Sequence, residues 1–169
     1  MCLYDVTIKP VDRQNYIKKF WKEKKMGLLK KENVQICEDA CDWREAIRIS
    51  VFPLENGGYV NEEYKDGIIG NLEKFGPYIL IAEHIALPHA RPEQGAIESQ
   101  VSITLFRKDI AFDKEGSTAR LFVTLAAKDN ESHLEALMKI SELLSDEETV
   151  EKILESENEE KLYQYFESI

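Results

Sequence analysis

Three histidines, His84, His89 and His133, hold all the imidazole of this 169-residue chain, and two of them fall where backbone geometry is controlled. His89 lies in Pro88-His89-Ala90-Arg91-Pro92, directly after an apolar run. Proline 88 fixes its own φ, and proline 92 pushes Arg91 toward extended backbone, so the imidazole is displayed on a stiff loop. A neutral imidazole can attack phosphorus near pH 7 and pass the group on, provided its other nitrogen is held by a hydrogen bond that sets the tautomer. Arg91, two residues on, points to the same side of an extended segment, and its guanidinium can grip phosphate oxygens in bidentate fashion. Ser132-His133-Leu134-Glu135 has the spacing of a capping box, which predicts a helix capped by Ser132 with His133 in its first position. The unpaired N–H groups and positive dipole end of a helix N-terminus attract phosphate. If loop and helix end are neighbours, His89 is a nucleophile and His133 with Ser132 part of a phosphate cradle. Each residue also has a plainer reading: a solvated loop histidine, a solvated helix start, an Arg91 paired with Glu93, and His84 as a turn residue.

The elements that must position these side chains follow from periodicity. Asn33–Cys37 alternates as a strand, and Asp42-Trp43-Arg44-Glu45 has N-cap spacing before a helix running to about Phe52 and ended by Pro53. Asn61 caps a second predicted helix to Phe75, with Tyr64, Ile68, Ile69, Leu72 and Phe75 on one side and Gly76-Pro77 as its stop. Tyr78–Ala82 and Ile85–Leu87 read as buried strand leading into the histidine loop. Ser99–Phe106 alternates as a strand with one wetter face, Asp109–Ser117 connects, and Ala119–Ala127 is a continuously apolar central strand. The helix after Ser132 carries its apolar stripe on Leu137, Met138, Ile140, Leu143 and Leu144. Two short helices, from Asp146 and from Glu157, close the chain. Strands alternating with helices predict an α/β sandwich.

Composition bounds the function. The chain is 43% apolar and 32% charged with a net charge of −10, a folded rather than disordered profile. Nine Lys and Arg stand against three Asp and Glu in residues 1–31, a surplus of +6, so the remainder carries −16. An acidic body argues against nucleic acid and suits a basic protein partner. No apolar run spans a bilayer, which excludes direct insertion and predicts a cytoplasmic protein. Three histidines without metal-ligand spacing, and Cys2, Cys37 and Cys41 without a CxxC pair, support neither a metal nor a redox site. Neither a glycine-rich phosphate loop nor a dinucleotide fingerprint is present, so no cofactor is expected. Residues 1–25 differ from the rest. The stretch QNYIKKFWKEKK can form a short basic helix with Tyr16, Ile17, Phe20 and Trp21 on its apolar side, or is an appendage upstream of a start near Met26.

Two separated motifs carry a resemblance. IALPHARPEQG from Ile85 to Gly95, with its GPYILIA lead-in from Gly76, and LAAKDNESHLEAL from Leu125 to Leu137 together resemble the enzyme IIA component of the bacterial phosphoenolpyruvate-dependent sugar phosphotransferase system (PTS). The branch is the fructose–mannitol superfamily, type 2, and GPY with PHARPE looks closest to its ascorbate-type members. The resemblance covers residues 26–169. It implies a mixed β-sheet flanked by helices on both sides. It implies that His89 is phosphorylated by the phosphocarrier HPr and hands the group to a cysteine of a cognate IIB component, for sugar import through the membrane IIC component. It places the second active-site histidine on His133.

One departure stands out. Mannitol-type members carry an arginine in the helix before the GPY-like segment; that place falls here on Glu73 or Asn71, and this helix has no arginine. Arg91 is left as the phosphate contact, with Ser132 as a further candidate, or else backbone N–H groups and His133 alone. A second reading stays open: a regulatory IIA-like module whose phosphorylation state controls a protein partner.

Overall fold

The computed structural model describes residues 27–169, so the predicted basic helix of residues 14–25 lies outside the described residues. Five strands, β1 (Leu29–Cys37), β2 (Leu80–Ala82), β3 (His84–Ala86), β4 (Gln100–Ala111) and β5 (Thr118–Ala126), form one sheet in the order β1-β4-β5-β3-β2. The sheet is mixed: β1 runs parallel to β4 and β3 parallel to β5, while β4–β5 and β2–β3 are antiparallel. Helices α1 (Trp43–Asn56) and α2 (Glu63–Phe75) cover one face. Their Ile47, Val51, Leu54, Tyr64 and Ile68 pack with Phe106 and Phe122. Helices α3 (Asn130–Leu144), α4 (Glu147–Leu154) and α5 (Glu159–Phe166) cover the other. There Ile140, Ile153, Leu162 and Phe166 meet Ile103, Leu105, Leu121 and Val123. The expected layered sheet with helices on both sides is the architecture found.

Four local expectations are corrected. Helix α1 runs through Pro53 to Asn56 instead of stopping at Phe52. A proline leaves the carbonyl four residues back without its amide partner. Here that carbonyl, on Ile49, accepts instead from Gln35 Nε2 of β1 at 2.8 Å. The polar side of β4 is not wet. Ser102 and Thr104 are fully buried under α1, Ser102 Oγ donating to the Ser50 carbonyl at 2.7 Å and Thr104 Oγ1 accepting from Gln35 Nε2 at 3.0 Å. Strand β4 also continues to Ala111, where a connector was expected, because Ile110 and Ala111 resume pairing with Ala119 and Thr118 beyond a register shift. The run Tyr78–Ala82 is mostly an exposed edge: β2 has three residues, and Ile81 is 47% exposed.

Two apolar stripes are narrower than their periodicity suggests. Phe75 of α2 and Met138 of α3 lie at 64% and 65% exposure, outside the cores their helices bury. Helix α3 buries only Ala136 and Ile140 fully.

Candidate functional site

The histidine loop is a continuation of the sheet. After β3 the chain stays beside β5, the Leu125 N–H donating to the Pro88 carbonyl at 3.0 Å and His89 bridging to Leu125 in parallel sense. Tyr64, fully buried in α2, locks the next residue: its hydroxyl donates to the Leu125 carbonyl at 2.6 Å and accepts from the Ala90 N–H at 3.2 Å. Burial pushes this phenol up to about 12, so it remains a donor at any working pH. Beyond Arg91 the chain makes a single 3₁₀ turn, Pro92–Gln94.

His89 Nδ1 lies 2.8 Å from the Leu87 carbonyl. A carbonyl can only accept, so Nδ1 carries the proton and Nε2 keeps its lone pair. The Tyr78 ring meets the imidazole edge-on with centroids 5.5 Å apart, and its hydroxyl donates to the His89 carbonyl at 2.9 Å. The His133 ring lies on the other flank at 5.3 Å. Backbone, ring orientation and tautomer are therefore all fixed before any reaction.

His133 arrives from α3, and by a different cap than the sequence suggested. Asp129, not Ser132, caps the helix: its carboxylate accepts from the Ser132 N–H at 2.7 Å. His133 is accordingly the fourth residue of the helix, one turn in, with its N–H bonded to the Asp129 carbonyl at 3.1 Å. Asp serves as a cap as well as Ser does, and Asp129 lies three residues before Ser132, so the cap moves one turn earlier. The Ser132 bonds to Asp129 hold that carboxylate below the usual range. Burial, and then the neighbouring His89, push His133 below the ordinary histidine value, so it is neutral near pH 7.

These groups open into a cleft of about 440 Å³ lined by Asn71, Phe75, Tyr78, His89, Ala90, Arg91, Pro92, Asn130 and His133. The structure thus brings His89, His133 and Arg91 to one cleft and leaves Ser132 out of its lining. Arg91 is exposed and has no carboxylate within 4 Å among the described residues, Glu93 included. Of the two places for the missing helix arginine, Asn71 lines the cleft, whereas Glu73 turns away to an ion pair with Arg44 at 2.9 Å. Gln94 ties this corner together, its Oε1 accepting from Asn71 Nδ2 at 3.1 Å and from the Arg91 N–H at 3.0 Å. Residue reasoning gave no role to Tyr64, Tyr78 or Gln94. Tyr78 and Gln94 belong to the GPY and PEQ segments quoted above, so a signal existed for them; Tyr64 reads only as core.

His84, outside the cleft, was expected as a turn residue and instead opens β3, directly after the turn at Glu83. It has φ of 63°, the left-handed region, and its Nδ1 lies 2.7 Å from Asp109. Among the described residues there is no cluster of metal-ligating side chains, and no helix is long and apolar enough to cross a membrane.

Residues 27–169 match the protein family described as phosphoenolpyruvate-dependent sugar phosphotransferase system, EIIA 2. The mannitol-specific cryptic phosphotransferase enzyme IIA component of Escherichia coli (strain K12) is 35% identical over 130 residues, 77% of this chain and 88% of that protein. The ascorbate-specific PTS system EIIA component of the same organism is 30% identical over 138 residues, 80% and 90% of the two chains. Among solved structures, the IIA chain in the complex of enzyme IIA mannitol with phosphorylated enzyme IIB mannitol from Escherichia coli superposes with a TM-score of 0.73 at 26% identity, covering 83% of this chain and 99% of that one.

Proposed function

Because the chain belongs to the EIIA 2 family of the phosphoenolpyruvate-dependent sugar phosphotransferase system, we propose that it is a phosphohistidine carrier using His89. The observation that carries this reading is the Nδ1–H bond to the Leu87 carbonyl, which leaves Nε2 as the basic nitrogen of a ring held at the cleft. The lone pair of Nε2 forms the P–N bond as the bond to the donor, a phosphorylated HPr, breaks. The same P–N bond then breaks as a thiolate of a IIB component takes the group. The solved complex of a related IIA with phosphorylated IIB supports the second partner.

His133, neutral and 5.3 Å away between centroids, adds a second imidazole at the flank of His89. It positions His89 and contacts the incoming phosphoryl oxygens. Arg91 and Asn71 supply further donors from the cleft wall, and Asn71 takes the place of the mannitol-type arginine. Ser132 serves the site through the Asp129 cap that sets the position of His133. The carrier works in the cytoplasm, with IIC reached only through IIB. The sugar is ascorbate-like on the GPY and PHARPE segments, and relatives of both mannitol and ascorbate type support a polyol or sugar acid.

The test is intact-mass analysis after incubation with phosphoenolpyruvate, enzyme I and HPr, beside His89→Ala. One acid-labile phosphoryl group on the parent only, mapped by nitrogen-15 NMR to Nε2, is the expected result. Phosphorylation persisting in His89→Ala, or mapped to Nδ1, overturns the assignment. Labelling without onward transfer to any IIB points to a regulatory module instead.

A further inference from the structure

Arg91 reaches the cleft from a surface loop, yet one residue clamps its backbone from both sides. The Gln94 N–H donates to the Arg91 carbonyl at 2.9 Å, and Gln94 Oε1 accepts from the Arg91 N–H at 3.0 Å. Both backbone polar groups of Arg91 are thereby satisfied by its own turn, at φ of −67° and ψ of 150°. A glutamine can act this way only if its own amide is held, and α2 holds it. Asn71 Nδ2 donates to Gln94 Oε1 at 3.1 Å, and Gln94 Nε2 lies 3.5 Å from Asn71 Oδ1. One turn earlier on the helix stands Gly67, where a Cβ would lie 3.2 Å from both Cβ and Nε2 of Gln94. The missing side chain leaves the seat in which Gln94 rests. The loop is fastened once more just before α2, the Asn61 N–H donating to the Gly95 carbonyl at 2.9 Å.

The clamp serves a group that lines the same cleft as His89 and His133. A free arginine loses rotamer freedom when it grips an anion, and fixing its backbone beforehand removes part of that cost. Phosphoryl transfer leans on donors already in position, so a small displacement of the guanidinium should be felt. Both clamping side chains are amides, which brace Arg91 without adding charge beside an incoming phosphoryl group. Asn71 Nδ2 keeps its second hydrogen for the cleft.

We propose that Gln94 is a positioning residue: its amide, seated on Gly67 and Asn71 of α2, holds Arg91 as the anion-gripping group of the cleft. That the anion is the phosphoryl group bound for His89 rests on the phosphocarrier reading; the clamp on Arg91 does not.

The test is an NMR titration of the full chain with inorganic phosphate, following the imidazole nitrogens of His89 and His133 and the Arg91 Nε–H. It is run as a cycle of parent, Gln94→Ala, Arg91→Ala and the double variant. Gln94→Ala should weaken phosphate binding several-fold and Arg91→Ala by more, with the double variant no weaker than Arg91→Ala alone. Gly67→Ala reaches the same clamp from the helix. Alanine favours helix over glycine, so its urea midpoint should hold or rise while phosphate binding weakens. In transfer from phosphorylated HPr, Gln94→Ala should lower kcat several-fold and leave KM near the parent's. Unchanged phosphate affinity in Gln94→Ala overturns the proposal. So does a loss of equal size with and without Arg91, which makes the effect a general loosening of the loop, or a parent in which phosphate leaves the Arg91 signal unmoved. A parent that shows the expected phosphate cycle but takes no phosphoryl group from HPr supports the clamp and defeats the phosphocarrier reading.

Discussion

Replacing Tyr64 by Phe removes one oxygen from a fully buried ring and should unsettle both the core and the histidine loop. The hydroxyl satisfies two groups, donating to the Leu125 carbonyl at 2.6 Å and accepting from the Ala90 N–H at 3.2 Å. Ala90 is 6% exposed and Leu125 is fully buried, so water cannot reach either group without local opening. An unsatisfied buried polar group costs ~1–3 kcal/mol, and the Phe ring fills the same volume, so the net loss should be about 2–4 kcal/mol. With a urea slope of roughly 2 kcal/mol per molar, the midpoint should fall by about 1–2 M. The loss should be the same at pH 6 and pH 9, since burial pushes the phenol up to about 12 and it stays protonated throughout. The phosphorylation rate should fall as well, because Ala90 is the residue that anchors His89 from behind. Tyr78→Phe is the control: its bond to the His89 carbonyl lies at a 39% exposed residue, where water substitutes and the cost is ~0.5–1 kcal/mol. A midpoint for Tyr64→Phe within error of the parent would refute the view that this hydroxyl pins the loop to the sheet.

Three further outcomes follow from the same geometry. Asp129→Ala removes the α3 cap, which should cost ~1 kcal/mol by urea melt and slow phosphorylation more than an equally destabilising change elsewhere; an unchanged rate would separate the cap from the site. His84 holds φ of 63° against Asp109, so His84→Ala should destabilise by about 1–2 kcal/mol, and His84→Asn, which tolerates that region, by visibly less; equal losses would place the cost wholly in the lost Asp109 contact. His133 is depressed below its unfolded value of 6.5, so the unfolded chain takes its proton first as pH falls. Stability tied to a neutral His133 is therefore whole above about 6.5 and lost as pH drops through the window below it. His133→Gln should show a shallower fall of urea midpoint from pH 7 to 5 than the parent does, and parallel profiles would count against the shift.

The central strand, the histidine loop and the order of helices were legible because each rests on local chemistry: an unbroken apolar run for β5, flanking prolines for His89, capping side chains for the helices. In the strands and helix packing, what misled was long-range. Pro53 reads as a stop, and only the Gln35 amide arriving from β1 lets the helix continue past it. Ser102 and Thr104 read as a wet face, and only α1 lying over them makes them core. Met138 and Phe75 fit the helical period, yet neither helix has a neighbour on that side among the described residues. At the site, His89, His133 and Arg91 were visible as residue types at controlled positions. Ser132 was misplaced relative to the cap because Asp129 offers an equally good oxygen one turn earlier.

The ring of His89 is held by the sheet itself, through Leu87, Leu125 and Tyr78. Under the function proposed above, a carrier built this way has no swinging arm. Donor and acceptor must take turns at one fixed nitrogen, so each has to leave before the other can arrive. The throughput of such a relay is then governed by how quickly its complexes come apart, and an interface strengthened by mutation should carry less flux rather than more.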